Sequence, residues 1–302
     1  MNQIPTLQNE QKQLERLAAQ RELYTSAKKW HGVQIIFTVI LPVALSIISL
    51  VNTDYAVKAA IYGVFAFIAD IAILEPLVKR KKTKAAKIQE LFDCDVLMMP
   101  KSPLKIVDDI TVEEVLQHYN AHAKIKSNIE KIKDWYSPAV AQLPLNIARI
   151  LCQRTNCWWD SKLRERYSAF LKYTSIIVCT IILGIGLYKN LTLIEVTLIA
   201  SGLVPFFQFC IKQCNDNLDA AKRLNELVTY AKQIWEGALN RTYTEQELVS
   251  NSRRLQDEIF DHRSKSPLIL DAYYNYFRDD QETLMNRSSE ILVEEAQSSL
   301  NR

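Results

Sequence analysis

Residues 32–53 carry no charged side chain and are dominated by Ile, Val, Leu and Phe. Such a run covers the ~20 residues that an α-helix needs to cross a bilayer. Pro42 lies inside it and removes one backbone hydrogen bond, so a kink is expected, of the kind that neighbouring helices tolerate within a membrane. A short polar turn of Asn52, Thr53 and Asp54 leads into a second apolar stretch, residues 56–78, which ends in Lys79, Arg80, Lys81 and Lys82. Lys and Arg accumulate on cytoplasmic flanks. With Lys28 and Lys29 before the first span and this run after the second, the hairpin enters and leaves from the inside.

A second hairpin is expected further on. Residues 173–188 are uncharged, Lys189 and Asn190 make the turn, and residues 191–211 are apolar apart from Glu195. The first of these segments falls just under the usual ~17–25 residues, which requires Lys172 and Lys189 to snorkel or the bilayer to thin locally. Arg164, Arg166, Lys212, Lys222 and Arg223 flank the pair and again put both ends inside.

The remaining chain reads as helix. Leu7, Leu14, Leu17, Ala18, Tyr24 and Ala27 recur at helical spacing and make residues 6–29 an amphipathic helix. Residues 83–172 contain no span; Thr111 and Glu114 form a capping-box pattern, and Pro100, Pro103, Pro138 and Pro144 each mark a helix boundary. Leu218, Ala221, Leu224, Val228, Ala231, Trp235 and Ala238 form a stripe that continues from the fourth span as a long helix projecting into the cytoplasm. Thr244 and Glu247 open another helix that stops before Pro267, and residues 268–302 are helix-compatible with a frayed polar tail. The expected fold is an all-α membrane protein with four transmembrane helices in two hairpins. It divides into a cytoplasmic amphipathic helix (1–31), hairpin 1 (32–80), a cytoplasmic helical insert (81–172), hairpin 2 (173–212) and a cytoplasmic helical C-terminal region (213–302).

Several function classes are excluded. A net charge of +3 gives no basic field suited to a DNA or RNA duplex. Six scattered cysteines without a C-x-x-C pair argue against a disulfide framework, and the polar N-terminal thirty residues lack a cleavable signal, so the first membrane helix acts as its own signal. Six glycines supply no phosphate-cradling loop. His118 and His122 share a helix face, but Tyr119 stands where a metalloprotease motif needs Glu, so a solvated face is the reading and no metal is expected. No cofactor and no catalytic constellation are implied; the chain reads as a non-enzyme.

Candidate functional residues fall into two sets. Asp70, Glu75 and Glu195 stand in or near the spans, where an isolated charge costs ~2.5–3.5 kcal/mol or more at the centre of a helix. Asp70 either lines a pore or pairs between helices, Glu75 suits the cytoplasmic interface, and Glu195 lies near the outer turn. The second set is basic and aromatic: Arg154, Asn156, Trp158, Trp159 and Arg164 before the third span, and Arg253, Arg254, His262 and Arg263 with Tyr273, Tyr276 and Arg278. One reading of the first group is an interfacial belt of Trp and Arg at headgroup level; the second group reads equally as a salt-bridged helix face. The other reading is a site for an anionic ligand, because the guanidinium fork fits phosphates and aromatic faces stack on bases.

Taken in order, several pieces resemble a known family. They are Leu17-Ala18-Ala19-Gln20-Arg21 with Tyr24 and Ala27-Lys28, Leu91-Phe92-Asp93, and Trp135-Tyr136-Ser137-Pro138. After these come Gln153-Arg154-Thr155-Asn156 with Trp159-Asp160 and Leu163-Arg164, and finally Leu255-Gln256-Asp257-Glu258-Ile259 with His262-Arg263. Arranged around two apolar hairpins over most of the chain, they resemble the four-transmembrane-helix pore-forming effectors associated with bacterial nucleotide cyclases in cyclic-oligonucleotide antiphage signalling (CBASS). The resemblance implies a bacterial inner-membrane, multi-pass protein with cytoplasmic termini. It would sense a cyclic di- or trinucleotide made on phage infection and permeabilise the membrane as a homo-oligomer. On that reading Arg154, Asn156, Trp159, Arg164, Arg254 and Arg263 hold the cyclic oligonucleotide, while Asp70 and Glu195 are the intramembrane polar residues. The alternative is a membrane-anchored scaffold that recruits a cytoplasmic partner without conducting.

Overall fold

The computed structural model describes residues 2–301 except 106, 108 and 126; the side chains of residues 127, 272, 275 and 278–282, Arg278 among them, also lie outside the described residues. Eight principal helices account for the architecture, and among the described residues there is no strand. They are α1 (Gln11–Val51), α2 (Thr53–Val96), α3 (Val112–Ala123), α4 (Leu145–Tyr188), α5 (Leu193–Gly202), α6 (Val204–Leu239), α7 (Glu245–Lys265) and α8 (Asp271–Leu300). α1, α2 and α4 are each long and apolar enough to cross a membrane, and α5 with α6 makes a fourth such element if the bent pair is counted as one.

Every boundary expected between a polar and an apolar part, at 31/32, 80/81, 172/173 and 212/213, falls inside a continuous helix. The long helices therefore carry one rigid backbone from a polar body into the apolar zone. Proline shapes α1 and α2 in the same way. A π-turn, Ile36–Ile40, ends two residues before Pro42, and a second, Asp70–Leu74, ends two residues before Pro76. A proline ring displaces the carbonyl four residues earlier and offers it no N–H, and widening the preceding turn absorbs the misfit without breaking the helix. A π-turn thus marks the place where Pro42 disturbs the ladder.

The fourth span departs from the expected continuous helix: α5 and α6 meet at a 52° bend at Leu203. Pro205 cannot donate to the Ser201 carbonyl, which ends the ladder there. Gly202 then packs directly on α2, where a Cβ would lie 3.2 Å from Ala59, and Gly63 opposes it, where a Cβ would lie 3.2 Å from the Gly202 carbonyl oxygen. At the other end of α5, Asn190 adopts φ 51°, a left-handed turn conformation that Asn tolerates. Beyond the bend, α6 packs along α4, with Ser168 donating to the Cys214 carbonyl and Ser161 to Asn225.

The polar body holds the main core. Leu17, Phe92, Ile150, Leu224, Leu255 and Val293, from six helices, form one buried cluster, and each fully buried side chain of this size contributes ~1.5–3 kcal/mol. In the apolar zone the pattern inverts, and Ile47, Ile61, Phe65, Ile177 and Ile181 face outward, as a hydrocarbon solvent requires. Lys189, just past the end of α4, donates to the Leu50 carbonyl near the end of α1 at 2.9 Å and ties the two helix ends together.

Candidate functional site

Where α1, α2 and α4 leave the apolar zone and meet α7, their side chains line a cavity of about 320 Å³, within the ~300–1,000 Å³ of small-molecule sites. The helical period places the lining. Gln20, Arg21, Tyr24 and Lys28 fall on one face of α1, and Lys82 and Gln89 on one face of α2. Asn156, Trp159, Asp160 and Arg164 come from α4, His262 and Arg263 from α7, and Ser266, Asp271 and Tyr274 close the rim. A neighbouring cavity of about 260 Å³ shares Arg21, Trp135, Asn156, Trp159 and Tyr274 and adds Lys131 and Lys133.

Aromatic rings and cations alternate along this cleft. Arg21 lies 5.4 Å over the Trp135 ring and Lys28 5.1 Å over Tyr274, which meets Trp159 edge-on at 5.0 Å. Five basic residues (Arg21, Lys28, Lys82, Arg164, Arg263) face two carboxylates (Asp160, Asp271), so the larger cavity is net cationic. Several cations are already held. Arg164 donates to Asp160 at 2.9 Å, to Asn217 at 3.0 Å and to the Pro267 carbonyl at 2.9 Å. Arg263 is ion-paired to the fully buried Asp93, which also accepts from Tyr136 at 2.6 Å and Gln256 at 2.8 Å. Lys28 pairs with Asp271.

Lys82 differs, because its partners are neutral: the carbonyls of Lys265 at 3.0 Å and Ser266 at 2.6 Å. Burial, with the nearby Arg164 charge, pushes its ammonium down to about 8. Burial raises the Tyr24 phenol to about 12, so it remains a neutral donor. Burial alone would raise the Asp160 carboxyl, but the Arg164 guanidinium and the His262 ring, 2.6 Å away, outweigh it and hold the group well below the carboxylate range. Gln20 Oε1 and Trp135 Nε1 are buried polar atoms of the lining that have no protein partner among the described residues. The arrangement suits a ligand carrying negative charge and flat rings.

The model of the SMODS-associating 4TM effector domain matches residues 2–292. The chain belongs to this family. It is also 24% identical over 280 residues to a probable CBASS effector molecule of Bacillus cereus (strain VD146), covering 91% of this chain and 92% of that protein. No solved structure matches. Among the described residues no group of three or more His, Cys, Asp or Glu could hold a metal.

Of the residues singled out in the sequence of this 4TM effector, the fold brings Asn156, Trp159, Arg164 and Arg263 together in the cleft. Arg154 lies outside the cleft lining, half-buried within the field of Glu295. Arg254 is exposed on the far side of α7, whereas its neighbour Arg253 is buried against Glu90 at 2.6 Å and Asp257 at 2.9 Å. Asp70 is buried between α1 and α2, where Gln34 donates to it at 2.5 Å. Glu195 closes a capping box at the start of α5, accepting from the Thr192 backbone and hydroxyl, both at 2.8 Å. Glu75 pairs with Lys212 at 2.6 Å. Sequence reading passed over Lys82 as a lining residue. The signal was present in the stripe Lys82, Ala86, Gln89, whose other members belong to a buried face.

Proposed function

We propose that this chain is a membrane effector that takes a cyclic oligonucleotide into the basic, aromatic cleft and responds by opening a path through the bilayer. The observation that carries this reading is the ownership of the cleft: α1, α2 and α4, each of which runs on into an apolar membrane-length segment, all contribute side chains to it. A ligand that pulls these walls together applies force to helices that cross the membrane without an intervening linker. The population shifts only by the ligand's preference for the open packing over the closed one.

The basic residues Lys28, Lys79, Lys82, Arg164 and Lys212 cluster where the helices leave the apolar zone, which supports a cytoplasmic placement of the polar body and of both termini at a bacterial inner membrane. Residues 32–80 and 173–212 then form the two membrane hairpins, and the segments 1–31, 81–172 and 213–302 form the sensor. Four helices enclose no wide channel, so several copies assemble around the conducting path. Asp70 sits at the polar end of the inner packing and is the intramembrane residue assigned to that path.

Ligand binding is tested by titrating purified full-length protein in nanodiscs with cyclic di- and trinucleotides and their linear counterparts, following tryptophan fluorescence. Saturable quenching by a cyclic species through Trp135 and Trp159 is expected. Indifference to every cyclic species would remove the sensor assignment.

A further inference from the structure

α8 belongs to the C-terminal region whose sequence reads as cytoplasmic, yet its first two turns concentrate rings: Tyr273, Tyr274, Tyr276 and Phe277. Helical spacing puts positions 273, 276 and 277 on neighbouring rows of one face. Tyr274 points to the cleft, where it meets Trp159 and Lys28. Tyr273 packs on α4, 5.1 Å from the Tyr167 ring and 5.6 Å from Phe170. Phe277 touches Tyr273 at 5.1 Å and lies under the Arg166 guanidinium at 5.1 Å. Tyr276, edge-on to Phe277 at 4.8 Å, is 79% exposed.

Lys28 and Phe170 fix the height of this turn relative to the apolar zone. Lys28, ion-paired to Asp271 at the start of α8, lies four residues before the uncharged run that begins at Gly32. Phe170 lies three residues before the run that begins at Tyr173. At ~1.5 Å per residue both distances are ~4–6 Å, and the headgroup layer on each side of the hydrocarbon is ~5–8 Å deep. The start of α8 therefore stands at headgroup level. Its exposed rings also continue the membrane-facing surface of α4. Phe170 and Tyr173 are 49% and 65% exposed, and Ile176 and Ile177 face outward further along the same helix. Arg166 and Lys172 are exposed beside these rings, and on α1 Trp30 is exposed at the same level. Amphipathic rings suit the boundary between hydrocarbon and water, and basic groups there meet lipid phosphates.

We propose that the first two turns of α8 dock on the headgroup layer of the bilayer that α1 and α4 enter. Phe170, Tyr173 and Tyr276 are the ring anchors, and Arg166 and Lys172 take the phosphates of the surrounding phospholipid. The rim of the cleft, which Asp271 and Tyr274 help to close, then rests against the membrane surface instead of free solvent. A bilayer is the occupant because the patch runs without a break into the outward-facing Ile176 and Ile177. This goes beyond the nucleotide reading and does not depend on it.

The test is photocrosslinking of the full chain, with p-benzoylphenylalanine in place of Tyr276, in nanodiscs of radiolabelled phosphatidylglycerol and phosphatidylethanolamine without nucleotide. Separate variants carry the same group at Ile177, which gives the level for a residue facing hydrocarbon, and at Leu284, exposed two turns further along α8, which gives the level for a ring in water. Lipid adducts at position 276 comparable to those at 177, and about tenfold above those at 284, are expected of a ring held at the interface. Lipid adducts at 276 no more frequent than at 284 would overturn the proposal. Adducts chiefly with a second copy of the chain would also overturn it and make the patch a protein interface. Absence of lipid adducts at 177 as well would remove the membrane placement of α4 together with the proposal. No nucleotide or leakage is involved, so this result and the effector reading fail separately.

Discussion

Lys82 places its ammonium 2.6 Å from the carbonyl oxygen of Ser266, and its side chain forms part of the wall of both the basic cleft and a cavity of about 210 Å³ that Asp70 also lines. It lies on α2, the helix that carries Asp70 at its π-turn. An anion in the cleft competes with two neutral carbonyls for this cation, so Lys82 is the side chain best placed to report occupancy to the membrane part.

Its titration gives a pH signature. Lys82 is held down to about 8 by burial, so the free protein loses this charge as pH rises through that value. Affinity for an anionic cyclic nucleotide is expected to fall about tenfold between about pH 7 and about pH 9, the effect of one charge-assisted contact of ~1.5 kcal/mol. Lys82→Met should weaken binding at the lower pH and flatten the profile. Without ligand the sign reverses. The folded value lies below the unfolded 10.5, so the unfolded chain binds more protons between these values and stability rises with pH across that window. Calorimetric titration and thermal unfolding at matched pH check the two signs.

Trp159 should carry stacking. Its ring lies in both cavities of the cleft and touches Tyr274. Trp159→Ala is expected to cost ~1–3 kcal/mol per stacked base, roughly a tenfold to hundredfold loss of affinity, with the thermal midpoint largely kept. Trp159→Phe should retain most of the binding in the same titration.

Much of this was readable in the sequence, and the limits have physical causes. Uncharged runs identify membrane-length segments because a bilayer tolerates little else, and Thr244 with Glu247 announced a capping box that the structure contains in full. At Thr111 only half of the box forms, since Glu114 turns to Lys84 at 2.6 Å. The π-turns were not legible, because a proline announces a disturbance without choosing between a kink and a widened turn. Arg254 and Arg253 differ by one helical step, and only the packing of α7 decides which is buried. Thr192, three residues before Glu195, already spelled a capping box that the structure contains.

Arg263 serves the fold as well as the cleft. Its guanidinium pairs with Asp93, which is 0% exposed. Burial alone would lower the Arg263 value, but the Asp93 carboxylate overrides it and holds the guanidinium firmly protonated. Arg263→Ala leaves that carboxylate buried and unpaired and is expected to destabilise the chain by ~3–5 kcal/mol. Combining it with Asp93→Leu should restore much of the loss in a thermal unfolding series. Full stability in the single variant would contradict this placement.

The Gly63–Gly202 contact sets the spacing of the hairpins. With each added Cβ meeting backbone at 3.2 Å, Gly63→Leu must push α5 away from α2, and ~1–3 kcal/mol of destabilisation is expected from the overpacking. Disulfide crosslinking between cysteines introduced on α2 and α5 would read the separation.

The most direct measurement is dye and ion release from proteoliposomes holding the full chain, with insertion verified by protease protection, titrated with a panel of cyclic di- and trinucleotides and linear controls. Release triggered by one cyclic species, and lost in Trp159→Ala at concentrations that saturate the unaltered protein, is the expected result. Liposomes that stay tight under every cyclic nucleotide, with the protein correctly inserted, would contradict the assignment of a nucleotide-gated membrane effector.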